Sequence, residues 1–234
     1  ELSILVATRP VTGGASQDAQ VDTAKIAAFM KRQSGFVSGT SIEYFPSYIC
    51  TGQDNQHLAT GYKIGQRFHS VKATRVADGA HQHLGHLVKA DGRWRIFVFG
   101  SAQDPTQTSS DTYQLINFLA NDPTSPVRKY TQDSSDLDAI IDTYAIFQQQ
   151  DLSMHDLHDF LWPAKGKYRL RDYEKVFHTQ NGNDVYDLRG IDRNSGCVVI
   201  VRPDQHIAAI MPTAAHAELS EFFDRFMIRS VPRT

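Results

Sequence analysis

Cysteine is nearly absent: Cys50 and Cys197 are the only two in 234 residues, and they lie far apart with no C-x-x-C. That excludes a disulfide framework and a dithiol redox motif, and it makes a reducing, cytoplasmic compartment the expectation. Long apolar runs are also missing. The longest, such as residues 197–201, are strand-sized and fall well short of the roughly 18 apolar residues of a membrane span. Neither sign of charge is in excess: 24 Lys and Arg against 26 Asp and Glu leave a formal net charge of -2, which gives no attraction to nucleic acid or to an anionic membrane. Three loop signatures of catalysis are absent too. Without G-x-S-x-G there is no nucleophile elbow, and without G-x-x-x-x-G-K-[ST] or G-x-G-x-x-G there is no phosphate cradle of a known kind. Lys165-Gly166-Lys167 lacks the loop and the hydroxyl, and Ser38-Gly39-Thr40-Ser41 is loop material.

What is there is globular, with 41% hydrophobic and 21% charged residues. The length suits one large domain or one domain with a substantial appendage, able to bury about 70% of the surface its unfolded chain exposes. The chain opens on Glu1, and residues 1–6 read as the end of a helix with no cap before it, so a C-terminal piece of a longer polypeptide is expected.

The first part of the chain differs from the rest. Leu2, Leu5 and Val6 share one helical face until Arg9-Pro10, and residues 10–20 form a connector around Gly13-Gly14. Asp22 can cap a second helix, in which Ile26, Phe29 and Met30 repeat at helical spacing up to Gly35. Over residues 36–65, Gly39, Pro46, Gly52, Gly61 and Gly65 break every pattern, which predicts an extended linker lying on a neighbouring surface.

Regular patterns begin after Phe68. Residues 83–88 and 94–99 flank Ala90-Asp91-Gly92-Arg93, where Asp-Gly between apolar runs predicts a hairpin. Residues 111–119 predict an amphipathic helix ending before Asn121-Asp122-Pro123, and residues 139–147 a strand. Residues 154–160 and 168–176 read as short helices, the first stopped by Trp162-Pro163. A second hairpin joins 197–201 to 207–211 through Arg202-Pro203-Asp204-Gln205, where Pro203 suits the turn. A last helix over 214–227 presents Leu219, Phe222, Phe223 and Phe226 on one face. A βαβ half followed by a ββα half predicts an α/β, thioredoxin-like fold with a central mixed sheet flanked by helices, preceded by an N-terminal helical and extended segment.

Ten histidines invite a metal or general-base reading. His81 and His83 would share one face of a strand with His86 on the other, and solvated or hydrogen-bonded histidines fit better than a metal site. His155 and His158, three apart beside Asp151, Asp156 and Asp159, can share a helix face, but no third ligand is specified. Cys197, inside Cys197-Val198-Val199-Ile200-Val201, reads as a small buried hydrophobe rather than a reactive thiolate.

An ordered set of stretches carries a resemblance. These are Phe36-Val37-Ser38-Gly39-Thr40 with Tyr44 and Pro46-Ser47, then Ile64-Gly65-Gln66-Arg67-Phe68-His69-Ser70, then Leu84-Gly85-His86 with Asp91-Gly92-Arg93-Trp94-Arg95-Ile96. Leu188-Arg189-Gly190-Ile191-Asp192-Arg193 and Val201-Arg202-Pro203-Asp204-Gln205-His206-Ile207-Ala208 complete it. In order and spacing the set resembles the C-terminal portion of the flavin-dependent aromatic hydroxylases of the phenol hydroxylase and 3-hydroxybenzoate 4-hydroxylase type, over nearly the whole chain.

The resemblance implies that residues 70–234 are that family's thioredoxin-like domain, which packs on the flavin domain and contributes to the subunit interface. Residues 1–69 would be the end of the catalytic region and its linker. The implied parent reaction inserts one oxygen atom from O2 into a phenolic ring, with NADPH reducing FAD. The implied partners are the N-terminal flavin-binding portion and a second copy. The family's cofactor motifs belong upstream, and Asp78-Gly79 and Asp91-Gly92 lack the flanking residues of its Asp-Gly motif. No catalytic, cofactor-binding or metal residue is therefore carried over, and no cofactor is expected in this chain. Two rivals stand beside this reading: a free-standing, redox-inactive thioredoxin-like binding protein, and a small enzyme built around His155 and His158.

Overall fold

Trp94-Arg95-Ile96-Phe97-Val98-Phe99 sends alternate side chains to opposite sides, as any strand must, and here both sides are apolar and fully buried from Ile96 onward. Such a strand needs cover on both faces and neighbours on both edges. The computed structural model supplies them. It describes residues 29–30, 34–36, 39, 41–179 and 184–229. The chain divides into two compact units, 1–39 and 40–234, and every strand among the described residues belongs to the second. Of the first, residues 29–30 and 34–36 are helical, while the helix expected from Leu2 to Val6 and the connector at 10–20 lie outside the described residues.

In chain order the regular elements are β1 (Lys72–Arg75), β2 (His81–His83), β3 (Trp94–Phe99), α1 (Asp111–Asn121), α2 (Pro126–Tyr130) and β4 (Ile141–Phe147). Then come β5 (Ala164–Lys165), β6 (Leu170–Arg171), β7 (Val176–His178), α3 (Val185–Arg189), β8 (Cys197–Val201), β9 (Ile207–Met211) and α4 (His216–Asp224). Seven strands form one sheet in the order β2-β1-β7-β4-β3-β8-β9, and β5 and β6 pair apart from it. β3 runs parallel to β4, with α1 between them in sequence, and antiparallel to β8, which turns into β9. This βαβ half beside a ββα half is the thioredoxin-like arrangement expected from the element order.

Helices cover one face of the sheet. Leu115, Ile116 and Leu119 of α1 and Leu219, Phe222 and Phe223 of α4 pack with Ile96, Val98, Val198 and Ile200. Ser110 caps α1, its Oγ accepting from Tyr113 N at 3.2 Å. Irregular chain covers the other face. Cys50, Ala59, Tyr62, Ile64 and Phe68 are buried against Phe97, Phe99, Val199 and Val201. Backbone bonds fasten this stretch to β9 and its turn, from Thr51 N to Ala208 O, Gly65 N to Ile207 O and Phe68 N to Gln205 O, each 2.8 Å.

Several expectations are corrected. Within the expected linker, Cys50 to Phe68 pack on the molecule's own sheet, so the compact unit begins at 40 and not at 70. Asp91-Gly92 turns the chain but joins no hairpin, because β4 and β8 already occupy both edges of β3. Leu84–Leu87 form a 3-10 turn that buries Leu84 and Leu87, and the hairpin lies one Asp-Gly earlier. There β1 and β2 meet through Asp78-Gly79, with Arg75 N donating to Ala80 O at 2.9 Å and Gly79 at φ +69°. Residues 154–160 hold two 3-10 turns, Met154–Asp156 and Asp159–Leu161. Residues 168–176 are not a helix: they run through β6 into the start of β7.

Candidate functional site

Open α/β sheets bind ligands beyond the carboxyl ends of their parallel strands, so the loop from β3 into α1 is the first place to look. It is closed by its own residues. Tyr186 Oη lies 2.7 Å from Gly100 O and 3.0 Å from Ile146 O, and Gln148 Nε2 donates to Gly100 O at 3.0 Å. Gln149 Nε2 donates to the carbonyls of Ala102 and Gln103, while Thr112 Oγ1 accepts from Ser101 N at 3.2 Å. A redox thioredoxin needs a C-x-x-C dithiol of low pKa at a helix N-terminus. The residues here are Ser101-Ala102-Gln103-Asp104, and the free thiols are elsewhere and buried. Burial pushes the Cys197 thiol far up, and it raises Cys50 as well despite the nearby Arg202.

At the opposite end of the strands lies a cluster of buried charge. Arg95, with no exposed surface, places its guanidinium nitrogens 2.7 and 2.6 Å from the two oxygens of Asp91, and Arg93 reaches Asp91, Asp138 and Asp142. Lys175 Nζ stands 2.7 Å from Asp138, pairs with Asp142, and lies 5.2 Å from the Tyr144 ring centre. Lys165 bridges Asp138 at 2.7 Å and Asp172 at 3.2 Å. Burial opposes ionisation of Asp91, Asp138 and Asp172, yet the facing cations hold all three carboxyls below the usual range. The cations and carboxylates match in number, so the cluster holds elements together rather than attracting a charged ligand.

That cluster anchors a projecting arm. β5 and β6 pair Ala164 with Arg171 and Lys165 with Leu170, around a turn in which Gly166 has φ +65° and Arg169 φ +54°. Asp136 Oδ1 accepts from Gly166 N at 2.8 Å, and Asp172 N donates to Pro163 O at 3.0 Å. Tyr168 is 78% exposed and Leu170 70%. A separate apolar patch comprises Ile42, Phe45 and Tyr48. Reading residues 168–176 as a helix hid the arm. The signal was there, because Tyr168-Arg169-Leu170-Arg171 after Gly166 alternates apolar and charged with period two.

The histidines do not converge. His81 Nδ1 lies 3.0 Å from Thr74 Oγ1, and His83 Nδ1 3.3 Å from Ser70 Oγ, with the His86 ring 5.4 Å from that of His83. His158 Nδ1 accepts from Phe160 N at 3.1 Å and so caps a 3-10 turn, while the His155 ring packs 5.8 Å from that of Trp162. Among the described residues no group of three or more metal-ligating side chains is present. Nor do the described residues fit a flavin. A dinucleotide needs close backbone approach at glycine, but the tight glycines approach their own chain: a Cβ on Gly65 would strike Tyr44 O, and one on Gly196 would strike Phe99 O.

Residues 42–231 match the family model described as phenol hydroxylase, C-terminal dimerisation domain. The 3-hydroxybenzoate 4-monooxygenase of Comamonas testosteroni is 40% identical over 212 residues, 88% of this chain and 33% of that protein. The FAD-dependent monooxygenase terD of Aspergillus terreus is 33% identical over 209 residues, 85% of this chain and 33% of its own. The chain thus spans about a third of the length of these curated relatives. A solved aklavinone-11 hydroxylase with FAD and aklavinone aligns over 79% of this chain and 26% of its own, at 14% identity and a TM-score of 0.40.

Proposed function

This chain belongs to the phenol hydroxylase C-terminal dimerisation family, and from that premise we propose that it is the C-terminal portion of an FAD- and NADPH-dependent monooxygenase acting on a phenolic ring. Its part is to join two copies and to pack on the flavin-binding portion, which supplies the oxygen-transfer chemistry. The chain carries no catalytic or cofactor-binding residue of its own, and its compartment is the cytoplasm. No helix among the described residues is long and apolar enough to cross a membrane.

One observation carries this reading: a thioredoxin-type strand order whose β3-to-α1 loop is filled by Tyr186, Gln148 and Gln149, while apolar side chains stand exposed elsewhere. The corner where a thioredoxin works is closed, and the free apolar surface is of the kind that marks protein contacts.

Sedimentation equilibrium on the 234-residue chain, combined with its absorption spectrum, tests the proposal. A dimer at micromolar concentration without a flavin band is expected. A chain that stays monomeric up to about 100 μM, a concentration at which a specific interface of standard size is occupied, has no dimerisation role. A yellow preparation from this chain alone would place a flavin site in it.

A further inference from the structure

We propose that the β5–β6 arm is the surface through which a second copy of this chain docks, with Tyr168, Leu170 and Tyr173 as its apolar contacts. This rests on the reading of the chain as a dimerisation domain and names the contact that reading leaves open.

The arm is poorly supported as a free-standing piece of structure. A hairpin of two residues per strand is marginal in water. Here it is fixed at its base by Lys165 to Asp138 and Asp172, by Gly166 N to Asp136 Oδ1, and by Tyr173 against the Trp162 ring at 5.9 Å. Beyond the base it does not rest on the body through apolar contact. Arg169 and Arg171 instead line an open, polar cleft of about 450 Å³ between the arm and the body. Alternation within β6 sets Leu170 and Arg171 on opposite faces. The molecule therefore holds an exposed apolar tip by bonds at its base, which lowers the ordering cost that an unanchored loop would add to association.

The occupant follows from where the arm sits. Among the other exposed apolar side chains, a patch of Ile42, Phe45 and Tyr48 immediately follows the start of the compact unit at residue 40, where the preceding chain is covalently tethered. The stretch that carries that patch is bonded to β9, whereas the arm lies in sequence between β4 and β7, and β3 and β8 separate β4 from β9 in the sheet. A second copy has no tether and can use the arm. Two-fold pairing would set arm against arm, each contributing the same residues. The exposed parts of two tyrosines and a leucine from each copy supply most of the roughly 1,000 Å² at which a specific interface begins.

The test compares the 234-residue chain with two double variants by sedimentation equilibrium and with a third variant by cross-linking, with circular dichroism as the check on folding. Tyr168→Ser with Leu170→Asp is expected to weaken dimerisation at least tenfold with an unchanged spectrum, since both positions are exposed. Phe45→Ser with Tyr48→Ser is expected to leave the dimer constant unchanged. Tyr168→Cys adds a thiol in the open to a chain whose own two cysteines are buried, and a short bis-maleimide should then give a covalent dimer. An arm variant that dimerises like the parent, or dissociation caused by the Phe45 and Tyr48 changes alone, overturns the arm while leaving the dimerisation role intact. A parent chain that never dimerises removes both.

Discussion

One face of the seven-stranded sheet is covered by α1, α2 and α4, the other by the short α3, the 3-10 turn at Leu84–Leu87 and a long stretch that between residues 41 and 71 makes only a single 3-10 turn, and both interiors are equally buried. Leu115, Leu219 and Phe222 are no better buried than Ala59, Tyr62 and Ile64. The difference lies in how the backbone is satisfied. A helix meets its own N–H and C=O groups by repetition, whereas irregular chain needs a separate partner for each. Gln56 shows the consequence: its Nε2 donates to Ala59 O at 3.0 Å and Tyr62 O at 2.7 Å, and its Oε1 accepts from Ile64 N at 3.0 Å. A single side chain there replaces several helical hydrogen bonds.

If the two faces are equal parts of one core, Phe68→Ala and Phe222→Ala should each cost about 3–5 kcal/mol in urea unfolding. A cost below about 1 kcal/mol for Phe68→Ala alone would mean that the irregular stretch is laid on the fold rather than built into it. Asp138→Asn is next, at about 3 kcal/mol, because it leaves Lys165 and Lys175 short of a shared partner. Its pH dependence is specific. Asp91, Asp138 and Asp172 are held below the ordinary carboxyl value of 3.8, so their stabilisation is fully present above about pH 4 and is lost as pH falls through the lower folded-state values. The acid limb of a stability profile should therefore flatten in Asp138→Asn.

Gln56→Ala separates the faces more sharply. Three backbone groups lose their partner at once, and about 2–3 kcal/mol should follow by thermal or urea unfolding. No helix-face substitution of a polar side chain to alanine should match it. The smallest effect is expected at Gly92, which has φ +81° and nothing within 4 Å of where a Cβ would stand. Gly92→Val should cost about 1–2 kcal/mol from backbone conformation alone. Unchanged thermal stability would show that the turn relaxes around the new side chain.

The helical face was the legible one. Spacing alone gave α1 and α4 within a few residues, and the pairing of β8 with β9 followed from apolar runs and Pro203, whereas the neighbours of β3 did not. The irregular face was not legible, because its partners are set by single long-range bonds such as Thr51 N to Ala208 O, which leave no periodic trace. The two Asp-Gly turns were equally visible, but which of them closed a hairpin depended on who already flanked β3, a tertiary fact. The resemblance-bearing stretches turn out to be fasteners: Arg67 bridges to His206 in the β9 turn, and Ala59 to Ile191.

The bonds from residues 51–68 to β9 carry one more consequence. An outer strand with open amides and carbonyls is a template on which further chains can add without limit. In this fold Thr51, Gly65 and Gln66 already occupy that margin at Ala208 and Ile207, and the opposite margin, β2, is only three residues long. Among the described residues the sheet therefore offers little open margin for strand-by-strand growth, and surface contacts on this fold fall to side chains.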